Sequence, residues 1–254
     1  MERFSGRNVL ITGGGSGIGQ ATVHRILAEG GKVVAVDVNE DGLKKTLDRA
    51  SADGTADRLT VQVLDISDEA AVVAGAAEAI AGLGGLDVLV NAAGILRSSH
   101  THETTLEFWN KLLAVNLTGT FLMTREALPA LLATGKGVVV NFSSTSTGFA
   151  HPYMAAYAAT KGGIQSFTHA IASEYSKQGL RAVCVAPGSI DSDMTNNPGL
   201  PADADFSLLA KLSPAIGRGF AGPETVAGVI AMLASDDGAF VTGTELRIDG
   251  GTHM

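Results

Sequence analysis

The 254-residue chain has one cysteine, one tryptophan and three tyrosines. A single thiol, Cys184, excludes an intrachain disulfide. Its setting, Ala-Val-Cys-Val-Ala, reads as a buried strand, where a thiol packs inertly rather than attacks. Charged residues make up only 17% of the sequence, too few for a disordered or surface-rich protein. Positive charge is the scarcer sign, with 18 Lys and Arg against 26 Asp and Glu and a net charge of −8. No long basic run breaks this balance, which argues against a nucleic-acid partner. No apolar run is long enough to span a bilayer, and no signal-peptide core separates Met1 from the strand around Val9, so the expected location is cytoplasmic with no membrane partner. His24, His100, His102, His169 and His253 are scattered without metal-ligand spacing, so we expect no metal site and surface positions for them.

Glycine, in contrast, is abundant at 32 residues, and hydrophobic residues reach 45%. Continuous apolar runs rich in β-branched residues fall at 8–12, 32–38, 59–65, 86–91, 138–143, 181–186 and 245–248. Strands buried on both faces of a parallel sheet have this pattern. Helical patterns separate them, near 18–29, 41–52, 69–81, 106–133, 153–178 and 223–234. The alternation predicts a single doubly wound α/β domain over residues 1–254, with a seven-stranded parallel sheet flanked by helices on both faces. The least regular stretch, 189–220, holds Pro198, Pro201 and Pro214 and follows a strand's carboxyl end, where ligands bind in open α/β sheets. We expect it to form a lid.

The first strand ends in Thr12-Gly13-Gly14-Gly15-Ser16-Gly17-Ile18-Gly19, and a helix follows. Gly13 permits a tight turn, Gly17 lets backbone approach a pyrophosphate, and Gly19 lets the helix pack close to the sheet. The second strand ends near Asp37, positioned to accept hydrogen bonds from a ribose diol and to repel a 2′-phosphate. Ser16, Val38 and Asn39 offer no cation for such a phosphate, so NAD is expected over NADP. Asp65 and Ile66, then Asn91-Ala92-Ala93-Gly94, follow the next two strands and face the same crevice.

Tyr157 and Lys161 lie four apart in a helical pattern, which places them on one helix face. An ammonium beside a phenol lowers the phenol's pKa, and the pair suggests proton exchange with a carbonyl or alcohol oxygen.

These segments together resemble the classical short-chain dehydrogenase/reductase family over essentially the whole chain. The matching elements are 12–19, 91–94, Asn116, Ser144, Tyr157-Ala-Ala-Thr-Lys161, Pro187-Gly188, Val241-Thr-Gly243 and Asp249-Gly-Gly251, in order and spacing. The resemblance implies a Rossmann-type fold and a homotetramer. It implies that Tyr157 is the general acid/base and that Ser144 orients the substrate oxygen. Lys161 would hold the nicotinamide ribose and lower the Tyr157 pKa, and Asn116 would hold a relay water. Backbone near Pro187, Gly188 and Ile190 would meet the nicotinamide, with Ser192 in place of the family's usual Thr. Ser143 competes with Ser144, but strand alternation points the two hydroxyls oppositely. His151, Ser146 and Arg97 are candidates to shape the substrate pocket. The stretch 117–132, with Phe121 and Met123, is expected to be a buried helix face packed on a partner subunit.

The implied activity is an oxidoreductase that interconverts a secondary alcohol and a ketone with NAD(H). A 3-oxoacyl-[acyl-carrier-protein] reductase is the first alternative, opposed by Asp37 and by Lys136 as the lone cation in 128–136. A non-catalytic dinucleotide-binding regulator is the second, opposed by the presence of Asn116, Ser144, Tyr157 and Lys161 together.

Overall fold

The computed structural model describes residues 2–217 and 219–254. Seven strands form one parallel sheet: β1 (Asn8–Thr12), β2 (Lys32–Asp37), β3 (Leu59–Val63), β4 (Val88–Asn91), β5 (Val138–Phe142), β6 (Arg181–Pro187) and β7 (Glu245–Ile248). Their order is β3-β2-β1-β4-β5-β6-β7, so the winding reverses between β1 and β4. A crevice opens at such a reversal, beyond the strands' carboxyl ends.

Strand alternation divides the core into two layers. Val9, Ile11, Val33, Ala35, Val88 and Val90 pack under α1 (Gly17–Ala28), α2 (Glu40–Ala52) and α9 (Pro223–Ala234). Leu10, Val34, Val36, Leu89 and Val139 pack under α3 (Glu69–Leu83), α5 (Gly119–Ala133) and α6 (Ala155–Glu174). The local signals for these helices are ordinary ones. The Asn39 side chain caps α2 through the Gly42 N–H, Asp68 caps α3 through the Ala71 N–H, and Gly84 closes α3 at φ 81°.

The helical pattern over 106–133 is not one helix. α4 (Leu106–Leu112) passes into a π-helical segment, Leu113–Thr118, before α5. Side-chain bonds from Asn116 to a neighbouring loop stand at this segment, and such insertions gather at functional sites. Within 117–132 the expected single buried face splits. Met123 is fully buried in the core, whereas Phe121 is 42% exposed. The 189–220 stretch is more regular than its composition suggests. It contains α7 (Asp193–Asn196), α8 (Phe206–Leu209) and a 3-10 turn, Ala210–Leu212; Arg218 lies outside the described residues. Among the described residues no helix is long and apolar enough to cross a membrane, and no His/Cys/Asp/Glu group is built to hold a metal ion.

Candidate active site

The carboxyl ends of the strands open into one cavity of about 850 Å³, lined at one end by Asp37 and Asp65 and under the 189–220 segment by Leu209, Leu212 and Phe220. Beyond β1 the chain turns at Gly13, with φ 69°, where a Cβ would lie 2.8 Å from the Ala93 nitrogen. Gly17, at φ 52°, faces open space, its nearest neighbour being the Ser192 Cβ at 3.7 Å. A Cβ on Gly19 would lie 2.1 Å from the Gly13 carbonyl oxygen. The Ser16 hydroxyl makes no capping hydrogen bond, and no acidic residue occupies the first turn of α1. The first-turn N–H groups of α1 therefore keep their positive end free toward the cavity, with Ile18 among the lining residues. This cradle fits the phosphates of a dinucleotide.

Asp37 is held in place by backbone. Its Oδ2 accepts from the Gly15 N–H and its Oδ1 from the Asn39 N–H, each at 2.9 Å. Each oxygen keeps a lone pair for a ribose hydroxyl. Asp65 is not the last residue of a strand but the start of a turn, its Oδ1 accepting from the Ser67 N–H at 2.8 Å and hydroxyl at 2.6 Å. With Ile66 and Val38 it lines the same end.

Ala92 and Gly94 line the cavity beyond β4, but Asn91 does not. The Asn91 side chain is buried beneath the site and donates to Thr124 at 3.0 Å and to Asn141 at 2.8 Å. The strand's alternation turns its side chain inward, where it ties β4 to β5 and α5. Pro187, Gly188, Ile190 and Ser192 all line the cavity. The Ser192 hydroxyl lies 3.0 Å from that of Thr195 in the capping box of α7. A carboxamide contact would have to share it with this cap.

Ser144, Tyr157 and Lys161 converge on the cavity wall between the two ends. The Ser143 hydroxyl is spent on the Val185 carbonyl at 3.1 Å, while the Ser144 oxygen accepts from the Ser146 N–H at 3.1 Å and hydrogen-bonds the Tyr157 phenol. Lys161 is buried, donates to the Phe142 carbonyl at 2.9 Å, and places its ammonium 5.6 Å from the centre of the Tyr157 ring. The simple expectation that Lys161 depresses the Tyr157 pKa does not hold for this arrangement. Burial pushes the phenol up to about 12, opposed by the Ser144 hydrogen bond. Burial likewise pushes Lys161 down to about 8. Desolvation outweighs the charge at this separation.

Asn116 sits behind this wall, fully buried. Its Oδ1 accepts from the Ile95 N–H at 2.8 Å, and its amide donates to the Ile95 carbonyl at 2.9 Å and the Thr160 hydroxyl at 3.1 Å. Its side-chain partners are thus protein groups. A Cβ on Gly94 would lie 3.2 Å from this Oδ1 and 3.6 Å from Lys161 Nζ, so the absence of a side chain there keeps the Asn116–Lys161 corner open.

His151 lines the cavity near the catalytic wall, its Nε2 3.2 Å from the Thr145 hydroxyl. Burial, and then the neighbouring His253, push its pKa down to about 4. Ser146 and Arg97 depart from expectation, since neither lines the cavity. Ser146 is buried behind Thr145, which takes its place, and Arg97 donates to the adjacent Leu96 carbonyl at 2.8 Å.

A model of the family described as short chain dehydrogenase matches residues 7–200. A 2-(S)-hydroxypropyl-CoM dehydrogenase of Xanthobacter autotrophicus is 36% identical over 98% of each chain. A 3-oxoacyl-[acyl-carrier-protein] reductase of Thermotoga maritima is 35% identical, again over 98% of each. The crystal structure of a dehydrogenase/reductase from Sinorhizobium meliloti superposes with a TM-score of 0.89 at 32% identity, covering 100% of this chain and 98% of that one. The chain belongs to the short-chain dehydrogenase family. It is an oxidoreductase of the kind that uses a nicotinamide dinucleotide.

In this short-chain dehydrogenase the 189–220 segment is fastened at several points. The Ser98 N–H donates to the Pro198 carbonyl at 2.9 Å, and the Asp205 N–H to the Tyr153 hydroxyl at 2.8 Å. The Ala215 and Ile216 N–H groups both donate to the Gly250 carbonyl, at 2.9 and 3.0 Å. His100 Nε2 meets Asp203 at 2.9 Å, and its ring stands edge-on to Tyr153. Tyr153 holds a left-handed φ of 66°, a strain normally retained only where surroundings enforce it. The Asp203 hydrogen bond raises the His100 pKa. A raised imidazole pKa gives a tie that is complete below the ordinary imidazole value and is lost as pH climbs through the raised one. Proteolytic nicking within 199–217 should therefore increase as pH rises through that window, and His100→Ala should remove the pH dependence. A pH-independent nicking rate in the parent protein would refute the tie.

Of the histidines expected on the surface, His24 is buried in α1 and His253 lines the cavity. His253, Thr252 and Thr145 are cavity-lining residues that local sequence patterns do not reveal. Topology alone points to the first two, because they follow the carboxyl end of β7, at the same edge of the sheet as the crevice.

Proposed function

We propose that this short-chain dehydrogenase interconverts a secondary alcohol and a ketone with NAD(H), with Tyr157 exchanging the proton. The observation that carries the proposal is the convergence of Ser144, Tyr157 and Lys161 on one wall of a cavity whose far end presents Asp37. The nicotinamide, when bound, supplies the acceptor or donor of hydride. Ser144 holds the substrate oxygen and Tyr157 gives or takes its proton. A phenol pushed up to about 12 rests protonated, the form required to reduce a ketone. Below about 8 the Lys161 ammonium is charged and favours the phenolate formed during the exchange.

The Asp37 carboxylate supports NAD over NADP, since its fixed charge would face a 2′-phosphate with no cation supplied by Ser16, Val38 or Asn39. Asp37→Ala should raise the NADP/NAD ratio of kcat/KM by roughly tenfold or more, as expected when one like charge is removed at short range. The ratio, followed by nicotinamide absorbance over a panel of secondary alcohols and ketones, tests both parts of the proposal. An unchanged ratio overturns the cofactor preference, and no turnover of any alcohol or ketone overturns the reaction. The Thermotoga relative favours a 3-oxoacyl thioester reductase as the competing reading. Against it stand Asp37 and the scarcity of cations for an acidic carrier, Lys136 being alone in 128–136.

A further inference from the structure

The reaction proposed above accounts for the wall around Tyr157, but not for the polar groups gathered beside it. Thr145 directly follows Ser144, and its hydroxyl lies 3.2 Å from His151 Nε2. The His253 ring centre is 5.7 Å from that of His151. His253 Nε2 is buried and lacks any hydrogen-bond partner, a costly condition unless a ligand supplies one. All three residues line the same cavity as Ser144 and Tyr157.

His253 is also held rigidly. Its ring stacks on Phe149 at 4.0 Å with an interplanar angle of 3°, and the Arg247 guanidinium covers Phe149 at 5.1 Å from its centre. The backbone leading to it is fixed by Thr252, whose hydroxyl donates to the Asp249 carbonyl at 2.6 Å. The fixed ring presents an edge whose nitrogen is unsatisfied. This end also presents the apolar side chains of Leu96, Met154, Pro198, Leu200, Leu212 and Phe220, with Ser189, Thr195 and Ser213 among the polar lining residues. Among the described lining residues no arginine is present, and the lysines are Lys111 and Lys161. His151, with its pKa pushed down to about 4, is neutral near pH 7 and offers no charge to a carboxylate or phosphate.

We propose that Thr145, His151 and His253 form a neutral hydrogen-bonding wall that recognises a second oxygen function on a compact uncharged substrate, a diol or hydroxyketone. The inference rests on the alcohol–ketone reading of the site. It makes His253 a specificity residue that touches the non-reacting oxygen. The wall discriminates because a substrate lacking that oxygen leaves the His253 nitrogen unpaired.

The test compares 2,3-butanediol with 2-butanol, and cyclohexane-1,2-diol with cyclohexanol, by kcat/KM with NAD. The parent enzyme should favour at least one diol over its mono-alcohol by about tenfold, the worth of one net hydrogen bond. His253→Phe keeps the stack on Phe149 and removes the nitrogen, and should erase that preference, the diol losing about tenfold more in kcat/KM than the mono-alcohol. His253→Asn, which keeps a polar edge, should restore part of the preference. Equal rates for diol and mono-alcohol in the parent, or equal losses on both in His253→Phe, overturn the wall and leave the reaction standing. Absence of turnover on all four alcohols and their ketones, with nicotinamide binding intact by fluorescence, counts instead against the reaction.

Discussion

Tyr157→Phe should reduce turnover by about 10²–10⁴-fold, or roughly 3–5 kcal/mol of barrier, with dinucleotide affinity nearly unchanged. The change removes one oxygen and keeps the ring. Ser144, Lys161 and the Asp37 end are untouched, and the Lys161 bond to the Phe142 carbonyl remains. What is lost is the proton donor whose neutral form burial favours, at a pKa of about 12. The variant should lose little stability, because the change removes a single cavity-lining oxygen and leaves the ring packing in place. Kinetics followed at the nicotinamide absorbance, with fluorescence titration for affinity, separate the two effects. A variant that turns over like the parent would remove Tyr157 from the chemistry. One that loses dinucleotide affinity by the same factor as turnover would make it a binding residue instead.

Legibility in the sequence followed the range of the interaction concerned. The five inner strands were readable because each is a nearly continuous buried run, the edge strands β3 and β7 being partly exposed, and the observed ends differ by at most two residues. Gly13, Gly17 and Gly19 were readable because backbone geometry leaves little freedom at a strand–turn–helix corner. The tendency of Tyr157 to ionise was not. Proximity on a helix face is local information, but the phenol's pKa is set chiefly by its burial, which long-range packing decides. The direction of the Asn91 side chain was not readable either, because a motif names a residue without naming the face to which its side chain turns. One step of alternation sends the Asn91 amide to Thr124 and Asn141. His253 was misplaced for the opposite reason. Its neighbours, Phe149 and His151, are about a hundred positions away in sequence, and only the folded sheet brings them together. The residues that define the reaction sit on local motifs, whereas those that shape the substrate end are joined by long-range packing.

Gly19→Ala should damage both stability and dinucleotide use, and its pairing with Gly179→Ala shows why. A Cβ at Gly19 would stand 2.1 Å from the Gly13 carbonyl oxygen and 3.3 Å from that of Thr12. Both are backbone atoms of the turn that cradles the phosphates, so relief requires α1 to move off the loop. A Cβ at Gly179 would stand 1.9 Å from the Gly135 carbonyl oxygen, at a left-handed φ of 83°, in a turn that does not line the cavity. Both substitutions overpack backbone and should each cost about 1–3 kcal/mol. A melting-temperature loss on the order of 5 °C is the corresponding readout. They should part in function. Displacement of α1 by even 1 Å misaligns its N–H donors, and kcat/KM for the dinucleotide should fall roughly 10²-fold in Gly19→Ala. Gly179→Ala should keep the parent's dinucleotide affinity at temperatures below its melting transition. Equal losses of affinity in the two variants would mean that the Gly19 effect is general instability. A retained affinity in Gly19→Ala would mean that the α1 N-terminus does not hold the phosphates.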